Sequence, residues 1–509
     1  MFVRKKKNKS GSISIQIIHK VGRTNKLVQT VGSSSDELEL RELFKEAHRR
    51  IPSLQKQSSF HFLNPEDETI LNFTKTLSNA HIKAVGAELI FGALFDSIGF
   101  NVVHDQLFKD LVLSRIIYQG SKLKLTEYLR RFEHRDISIQ RIYRFLDKLN
   151  HKYKSHVEEI AFKHTQKILG HITVLFYDMT TLYFEAGDED DFRRIGFSKD
   201  GKFQDPQIML GLLVGEKGYP IGYELFEGNT FEGKTLIPVL EKFQKKFKLV
   251  KPIVVADSGL LSKANIASLQ EKNYAYIIGA RIKNDTDAIA QKILALRLCE
   301  DGQSARIKKD DGDNLIVTYS EKRAKKDAHT RKKGLTRLEK QITSGKLTKD
   351  KINARGYNKY LTLKNEVNVA IDYDKYNADA AWDGIKGYIT NTDLSVDAVI
   401  ESYSNLWHVE KAFRMSKSDL EIRPIYHYTQ RRIEAHISIS FVAYTVYKEL
   451  ERLLYKYEAP FSVKKARDII RNMYQIEIEL PNSKHKEKVL LNMDEEQHLL
   501  LKIVQSEIG

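Results

Sequence analysis

The sequence predicts an α/β fold in which a mixed five-stranded sheet with helices is interrupted by an insertion subdomain and preceded by a mainly helical region. Between residues 169 and 284, short apolar runs alternate with segments of helical spacing. This pattern stops over residues 285–385 and returns at residue 386. Upstream, residues 82–165 keep an apolar period of three to four residues, which favours helices.

The N-terminal segment, residues 1–60, is expected to be a small basic unit made of a β-hairpin and a helix. Residues 10–32 alternate between apolar and polar side chains around a central turn, which indicates two paired strands. A helical pattern follows from Glu37 to Arg50, directly after serine and aspartate residues that can cap a helix.

Residues 61–168 are expected to form a mainly helical region that binds DNA. Leu125–Phe132 and Ser138–Leu149 flank a short turn and resemble a helix-turn-helix. The second helix of that motif reads DNA, so Arg141 and Arg144 are candidate contacts. A plain pair of packed helices would give the same pattern, and both interpretations remain open.

The core is predicted from the order of its strands and helices. Three strand-like runs are followed by a helix, a strand, a second helix and a last strand, with the strands at residues 172–177, 208–214, 221–226, 252–256 and 274–279. Three strands in a meander followed by helix-linked strands is the order of an RNase H-like sheet. We therefore expect an RNase H-like catalytic core whose first part is residues 169–284.

The insertion subdomain is expected at residues 285–385 and is predicted to be β-rich with a basic helix. A helix-like stretch lies near residues 324–341, and strand-like pieces follow at residues 360–363 and 367–372.

The second part of the core is expected at residues 386–457. Residues 395–416 form one long predicted helix, and residues 430–457 form another amphipathic helix. The C-terminal region, residues 458–509, has no predicted structure.

The positive charge of the chain is concentrated in two segments. The formal net charge is +16. Residues 1–56 carry 13 Lys/Arg against 5 Asp/Glu, and residues 322–351 carry 12 against 3, so the rest of the chain is close to neutral. Clustered basic residues favour a nucleic-acid partner, because each neutralised phosphate releases counterions. A solvated basic surface is the alternative.

The composition argues against several classes of protein. No stretch approaches the roughly 20 apolar residues of a membrane span. The basic segment Met1–Lys9 is not followed by a long apolar run, so we expect no secretory signal. Cys299 is the only cysteine, which excludes a disulfide framework and a cysteine-based zinc site. We expect a cytoplasmic protein.

Two aspartates come directly after apolar strands: Asp178 follows residues 172–177, and Asp257 follows residues 252–256. Side chains at the carboxyl edge of an open α/β sheet tend to form ligand sites. Two bare carboxylates at close range repel each other, and a divalent cation removes that cost. Oxygen ligands suit Mg²⁺ or Mn²⁺, and a pair of such ions can clamp both oxygens of a phosphodiester displacement. We expect two Mg²⁺ ions, with Mn²⁺ able to substitute.

A third carboxylate is expected from the helix after the insertion. Tyr403, Glu410 and Lys417 are spaced seven residues apart, which is close to two helical turns, so they share one face. Glu410 is the candidate metal ligand, Lys417 a candidate phosphate contact, and Tyr403 a candidate for packing or hydrogen bonding to DNA. A solvated helix face is the alternative.

These motifs resemble those of bacterial insertion-sequence transposases of the DDE class. Tyr177–Thr181 and Val255–Gly259 are similar to the two Asp motifs of that family. Gly196–Asp200 and Gly228–Thr235 are typical of the interval between them. Tyr403–Lys417 is similar to the Y-R-E-K signature.

The resemblance covers roughly residues 80–450 and departs from the family at one signature position, where Leu406 replaces the arginine. Loss of that arginine weakens phosphate contact near the site. Arg414, four residues beyond Glu410, can substitute for it. Trp407 is a candidate for stacking on a base, with core packing as the alternative.

The resemblance implies a cut-and-paste DNA transposase with Asp178, Asp257 and Glu410 as its catalytic, metal-binding triad. Metal-dependent hydrolysis at terminal inverted repeats would free a 3′-OH, which then attacks target DNA. The implied partner is double-stranded DNA, bound by a homodimer in the synaptic complex, with no membrane. The implied location is the bacterial cytoplasm, in association with the nucleoid.

By the same resemblance, the insertion contacts DNA near the cleaved end. Its basic helix supplies the candidate phosphate contacts Lys325, Lys326, Arg331, Lys332 and Lys333. Two other functions remain open: an RNase H-like nuclease without strand transfer, and a catalytically reduced DNA-binding protein derived from a transposase.

Overall fold

A computed structural model of the chain describes residues 1–60, 65–185, 187–260, 262–344, 352–353, 356–364, 368–480 and 483–508. The end of the second basic segment, residues 345–351, and position 367 of a predicted strand lie outside the described residues.

The described strands are β1 (Phe2–Lys7), β2 (Ile13–Val21), β3 (Thr24–Ser34), β4 (Ile82–Ala84), β5 (Val174–Tyr183), β6 (Gln207–Val214), β7 (Pro220–Glu227), β8 (Ile253–Ala256), β9 (Tyr276–Ala280), β10 (Ser304–Lys308), β11 (Asn314–Tyr319), β12 (Leu361–Lys364), β13 (Asn368–Ile371), β14 (Ile385–Thr390), β15 (Tyr474–Glu479) and β16 (Lys486–Leu490).

The described α-helices follow the apolar periodicity of the sequence in most places. They are α1 (Glu37–Phe60), α2 (Pro65–Thr76), α3 (Ala93–Ile98), α4 (Gln106–Ile117), α5 (Lys122–Phe132), α6 (Ile139–Lys148), α7 (Lys154–Leu169), α8 (Leu236–Phe247), α9 (Lys263–Glu271), α10 (Asp287–Ala295), α11 (Glu321–Thr343), α12 (Tyr373–Ala378), α13 (Val396–Ser404), α14 (Trp407–Arg414), α15 (Gln430–Lys456), α16 (Val463–Ile470) and α17 (Glu495–Ile508). No described helix is long and apolar enough to cross a membrane.

The chain divides into two compact units. The first comprises residues 1–82 and 476–489, and the second comprises residues 83–475 and 490–509. In the first unit β1, β2 and β3 form an antiparallel sheet, and the apolar side chains of β2 pack against those of α1. The predicted hairpin is therefore part of a three-stranded sheet, because the basic strand β1 pairs along the outer edge of β2.

The second unit is a mixed α/β structure built on an eight-stranded sheet with the order β10–β11–β14–β9–β8–β5–β6–β7. Strands β5, β8 and β9 are parallel, and the other neighbours are antiparallel. Strand β6 is buried along its whole length, as expected for a strand covered on both faces. The prediction of five strands was wrong in number, since three further strands extend the sheet.

Two of the three extra strands come from the segment predicted to be an insertion, residues 285–385. Strand β11, from within residues 285–385, pairs with β14, and β10 pairs with β11. This part of the segment therefore extends the main sheet. Another part of the segment has a small core of its own, in which Leu338 of α11 packs with Tyr360 and Leu361.

The two faces of the sheet pack against different helices, because side chains alternate along a strand. One face includes Phe176 and Leu182 of β5 and packs with α13, α14 and the long buried helix α15. The other face includes Leu175 and Tyr177 and packs with α8, α9 and α10. Helices α4, α6 and α7 also contact α15, so the predicted helical region shares a core with the sheet.

Candidate active site

Asp178 and Asp257 follow a pair of residues that are neighbours in the sheet. In the parallel pairing of β5 with β8, Tyr177 lies opposite Ala256, and each aspartate is the next residue in its chain segment. Adjacent strands are separated by about 4.8 Å, so the two carboxylates belong to the same small region. The alternation of side chains puts Asp178 on the same face as Phe176, the face that packs with α13–α15.

Asp178 lies inside β5 rather than at its end, which corrects the sequence prediction. The strand continues to Tyr183 because its second half pairs with β6 as far as Gln207. Its parallel partner β8 stops at Ala256, so Asp178 marks the point where the parallel pairing ends. The apolar pattern on which the prediction rested ends at the same point, but the antiparallel pairing continues beyond it.

Glu410 and Asp257 line the same cavity, which has a volume of about 420 Å³. Glu410 lies on α14, and α14 packs on β5 and β6. The remaining walls of this cavity, which we call the carboxylate cavity, come from Ser258, Gly279, Ala280, Arg323, Lys386, Gly387, Tyr403, Ser404, Leu406 and Trp407. The fold thus brings together carboxylates from a strand end and a helix that are about 150 positions apart.

The helix that carries Glu410 is broken, contrary to the single long helix predicted over residues 395–416. Helix α13 ends at Ser404 and α14 begins at Trp407. Around Asn405 and Leu406 the backbone hydrogen bonds span three residues, from Leu406 to Tyr403 and from His408 to Asn405. The tighter spacing rotates the second segment relative to an ideal helix, so the seven-residue steps do not define one straight face.

The Asp178 carboxylate is in an unfavourable electrostatic environment. Its pKa is raised to about 6, first by burial and to a smaller extent by the carboxylates of Glu232 and Asp257, while Lys199 and the amide of Met179 lower it. The amide of Met179 also donates to Asp178 Oδ1 at 2.7 Å. The ionised form of Asp178 is therefore disfavoured mainly because the carboxylate is removed from water, and a bound cation would favour that form.

Lys199 is held between two carboxylates, and sequence reasoning did not single it out. Its Nζ lies 2.7 Å from Glu232 Oε1 and 3.8 Å from Asp178 Oδ1. It also donates to the carbonyl oxygen of Met179 at 2.6 Å. Glu232 therefore holds the ammonium group near Asp178 without a close pairing between them. Both residues lie in segments that resemble family motifs, which was the available signal.

Lys386 was also missed, and it lies on the wall of the carboxylate cavity. Burial and Arg323 lower the pKa of Lys386, while Asp257 and Glu410 raise it. Its Nζ lies 4.4 Å from the ring centroid of Tyr403, which is a cation–π contact. No local sequence pattern marks this lysine, because β14 reaches the site only through its pairing with β9.

Tyr403 and Lys417 make internal contacts in the structure. The Tyr403 side chain is only 6% exposed, and its hydroxyl donates to Asp257 Oδ1 at 3.0 Å. Lys417 Nζ lies 3.1 Å from Asp200 Oδ2. Their contacts with DNA remain predictions, and in this structure each is bound to an aspartate.

The other predicted DNA contacts differ in exposure. Arg331 is mostly buried, and its guanidinium is paired with Asp383 and lies over the ring of Tyr376. Trp407 is 48% exposed at the rim of the carboxylate cavity. The remaining candidates have exposed side chains, namely Arg141, Arg144, Lys325, Lys326, Lys332, Lys333 and Arg414. Arg331 is therefore the candidate that this structure orients inward.

The carboxylates fit divalent cations in their chemistry and in their pairwise arrangement. Within the described residues, no group of three or more His, Cys, Asp or Glu side chains is close enough to hold one ion together. Asp178 instead adjoins Asp257 across the sheet, and Asp257 shares a cavity with Glu410. Mg²⁺ is usually held by one or two carboxylates, with waters and substrate phosphates as its other ligands.

Comparison with solved structures finds distant similarity to two transposase complexes. A piggyBac transposase synaptic complex with hairpin DNA is 11% identical, with a TM-score of 0.38 and coverage of 76% of each chain. A Mos1 transposase paired-end complex with the left transposon end is 15% identical, with a TM-score of 0.16 and coverage of 31% of this chain and 53% of that one. Both TM-scores are low.

Sequence comparison assigns the family. Among curated proteins no significant match is found. A model of the family described as "Transposase DDE domain" matches residues 170–446, which is more than half of the chain and includes Asp178, Asp257 and Glu410. The chain belongs to the DDE-domain transposase family.

Proposed function

We propose that this transposase cuts its element out of double-stranded DNA and joins it to a new site, in the manner of a bacterial insertion sequence. The observation that carries the proposal is the meeting of Asp178 with Asp257 at the end of a parallel strand pair, beside a cavity that Glu410 lines. Carboxylates from three separated segments in one region are the donor set that metal-dependent phosphoryl transfer needs.

Asp178, Asp257 and Glu410 are the residues that would hold Mg²⁺ or Mn²⁺. Two such ions supply Lewis-acid activation of the attacking oxygen and neutralise charge on the scissile phosphate. The raised pKa of Asp178, caused first by burial, supports this assignment because a bound cation would offset the cost of holding a buried carboxylate in its charged form.

The protein's own residues orient and neutralise within the same site. Tyr403 fixes the orientation of the Asp257 carboxylate by its hydrogen bond. Lys386 supplies a positive charge on the cavity wall, close enough to respond to Asp257 and Glu410. Lys199 shields Asp178 from Glu232 until DNA enters. Together they keep a highly acidic site folded in the absence of substrate.

The exposed basic residues are proposed to position the DNA backbone. Helix α11 presents Lys325, Lys326, Lys332 and Lys333 to solvent, and this arrangement suits phosphate contacts rather than base reading. Arg141 and Arg144 are exposed on helix α6, which supports the proposal that α6 acts as the second, DNA-reading helix of a helix-turn-helix.

The assembly and the domain roles are part of the same proposal. Two transposon ends must be processed together, so we propose a homodimer in the synaptic complex, acting in the bacterial cytoplasm on nucleoid DNA. The domain roles are the predicted ones: residues 1–60 as a basic N-terminal unit, residues 61–168 as a DNA-binding region, residues 169–284 and 386–457 as the catalytic core, and residues 285–385 as the insertion.

The direct test is cleavage and joining of duplexes that carry the element's terminal inverted repeats, with Mg²⁺ present. Asp178→Ala, Asp257→Ala and Glu410→Ala should each bind the repeat DNA as the wild type does and cut none of it. Asp191→Ala is the matched control, because Asp191 is fully exposed and, among the described residues, is paired with nearby Arg194 alone. Normal cleavage by any triad variant would remove that residue from the site.

The products decide between the proposal and its alternatives. Joined products from the wild type support a transposase that performs strand transfer. Cut ends that are never joined indicate a nuclease. Binding without cutting in the wild type indicates a DNA-binding descendant, for which the replacement of the signature arginine by Leu406 is the favouring observation.

A further inference from the structure

A second cavity, which shares no lining residue with the carboxylate cavity, lies between α4, α5, α15 and the segment before α15. Its volume is about 420 Å³. Basic side chains dominate its walls, which are formed by Arg115, Gln119, Gly120, Ser121, Lys122, Leu123, Lys124, Tyr143, Glu421, Arg423, Pro424, Tyr426, His427 and His436. We call it the basic cavity.

Two cations of the basic cavity are buried. Lys122 is 7% exposed and Arg115 is 5% exposed. Within the described part of the chain, Arg115 Nε is buried with no hydrogen-bond partner, and the Lys122 ammonium group, whose nitrogen is not itself fully buried, makes no hydrogen bond or ion pair. Burying an unpaired charge is costly, and burial, followed by the charge of Arg115, lowers the pKa of Lys122 well below its usual value. An anion bound in the cavity would offset that cost.

The other two nitrogens of the Arg115 guanidinium, Nη1 and Nη2, donate hydrogen bonds to neutral acceptors. Its Nη1 donates to the carbonyl oxygens of Leu420 and Glu421 at 3.4 and 3.2 Å. Its Nη2 lies 3.5 Å from Nδ1 of His436, whose Nε2 donates to the carbonyl oxygen of Ile422 at 2.9 Å. These contacts fix the guanidinium in place but do not neutralise its charge.

The histidines of the basic cavity do not supply negative charge either. Burial, and after it the positive charges of Lys122 and Arg115, lower the pKa of His427 to about 3. The same influences lower the pKa of His436 far below its usual value. Both imidazoles are therefore neutral at physiological pH, which limits the local excess of positive charge without removing it.

The carboxylates near the basic cavity are insufficient to balance it. Glu421 is the acidic residue on its wall, and that residue is exposed to solvent. Arg423 is already paired with Asp200, outside the lining of the cavity. Arg115, Lys122 and the exposed Lys124 thus face a single solvated carboxylate.

The N-terminus of α5 also points its amides into this environment. Ser121 caps the helix, and its side chain accepts from the amide of Lys124 at 3.2 Å. The first amides of a helix have no acceptor within the helix, and together with the helix dipole they favour an anion. Helix α5 has 11 residues, so it provides these amides and this dipole. The nearly buried Lys122 in its first turn adds a positive charge at the same place.

We propose that the basic cavity binds a phosphate group, held by Lys122, Arg115 and the first amides of α5. Phosphate offers the charge and the several acceptor oxygens that an ammonium group, a guanidinium group and helix amides can share. A DNA phosphodiester and free inorganic phosphate present the same chemistry to this site.

The basic cavity is connected to the proposed active site by charged contacts. Arg423 of its wall pairs with Asp200, and Asp200 also accepts from Lys417. If the phosphate belongs to DNA, this chain links an anchored backbone position to the segment that follows Glu410. Binding of a DNA phosphate at this site rests on the proposed function, whereas binding of free phosphate does not.

The first experiment measures the thermal unfolding midpoint of the full chain in inorganic phosphate and in chloride at equal ionic strength. The wild type should be stabilised by phosphate, because a ligand that binds only the folded state raises its midpoint. Lys122→Met should lose that response. Its midpoint in chloride should equal or exceed that of the wild type, because the substitution removes a buried, unpaired charge.

Lys245→Met is the matched control, since Lys245 is an exposed lysine on α8 outside both cavities. It should keep the full phosphate response. A Lys122→Met protein that is less stable than the wild type in chloride and responds equally to phosphate would overturn the proposal, because the lysine would then have a purely structural role.

The second experiment identifies the source of the phosphate by measuring DNA affinity against salt concentration. If the group is a DNA phosphodiester, Lys122→Met should reduce the slope of log K against log salt by about one, and Lys124→Met should act in the same direction. A phosphate response in the first experiment with an unchanged slope assigns the site to free phosphate. No response of the wild type to phosphate together with an unchanged slope refutes the site.

Discussion

The hydroxyl of Tyr403 donates a hydrogen bond to Oδ1 of Asp257 at 3.0 Å, joining the end of α13 to the residue after β8. The tyrosine is nearly buried, and its ring lies 4.6 Å from that of Tyr388. A residue that the sequence suggested as a DNA contact therefore fixes the direction of a carboxylate. This link couples the glutamate-bearing segment to the aspartate pair.

Removal of this hydroxyl should impair cleavage without impairing DNA binding. Tyr403→Phe leaves the ring but not the hydrogen bond, and a hydrogen bond to a charged group is worth about 1.5–3 kcal/mol, so we expect a loss of roughly 10- to 100-fold in kcat. Tyr388→Phe is the control, because Tyr388 packs beside Tyr403 without contacting Asp257. A change in KM alone, with kcat preserved, would argue against positioning.

A second way to disturb the same contact tests its geometry. In Gly279→Ala the new methyl group would lie 2.5 Å from the Tyr403 hydroxyl, so the tyrosine must move. We expect the same reduction in kcat as for Tyr403→Phe, and no further loss when both changes are combined, since they remove one interaction. Additive losses in the double variant would contradict this.

Lys199 and Glu232 should change the metal requirement in opposite directions. Glu232 holds Lys199 at 2.7 Å, while Asp178 is 3.8 Å away. Glu232→Gln releases the lysine to pair with Asp178 and to compete with a cation, so the Mg²⁺ concentration for half-maximal cleavage should rise several-fold. Lys199→Gln removes the competitor and should lower it.

The control for this pair is Lys202→Gln, which alters an exposed lysine three positions along the same segment. Mn²⁺ binding followed by electron paramagnetic resonance gives a readout that does not depend on turnover. Shifts in the same direction for Glu232→Gln and Lys199→Gln would show that the two residues do not act against each other.

His427 should make the protein less stable in mild acid. Burial, Lys122, Arg115 and Arg432 lower its pKa to about 3 in the folded state, against about 6.5 when unfolded. Between these values the unfolded chain binds more protons, so the free energy of unfolding falls as the pH decreases from 6.5 toward 3. The limiting slope for one such group is about 1.4 kcal/mol per pH unit.

Denaturant unfolding at pH 7.5 and pH 5.5 measures this effect. His427→Asn should lose less stability over that interval than the wild type, whereas substitution of the exposed His156 by asparagine should behave as the wild type does. An unchanged pH dependence in His427→Asn would show that the histidine is not kept neutral by folding.

Glu507 should stabilise the attachment of α17 to α15. It accepts from Lys456 and Arg452 at 2.6 Å each, and these bonds lower its pKa to about 2. A depressed pKa gives stability that is present above about pH 4.5 and is lost as the pH falls toward 2.

Glu507→Gln should cost about 1 kcal/mol at neutral pH, after allowance for solvent screening of a partly exposed pair. The measurement is the free energy of unfolding in denaturant, with Glu495→Gln in the first turn of α17 as the exposed control. Equal stability of the two variants would mean that the ion pairs contribute nothing measurable.

Several elements of this protein were determined by the sequence alone. The apolar runs that became β6, β7, β8 and β9 were predicted to within two residues, because a buried strand needs continuous apolar side chains wherever it pairs. The motifs around Asp178, Asp257 and Glu410 identified the family for the same local reason, since each motif is a short run of residues.

Pairing across the sheet was decided only by the tertiary structure. Strand β11 joins β14 about 70 positions later, and nothing within Asn314–Tyr319 specifies that partner. The break between α13 and α14 could likewise not be predicted from the sequence, because the residues at the break include no proline or glycine.

The sequence therefore determined which carboxylates this transposase has, and the tertiary structure decided what surrounds them. Lys199, Glu232 and Lys386 come from separate segments and meet the aspartates only after β5, β8, β9 and β14 have paired. The buried cations of the basic cavity arise in the same way, from α4 and α5 folding against the segment before α15. Local periodicity in the sequence encodes a helix or a strand. The electrostatic field at a site is instead a sum over charged residues that are distant along the chain.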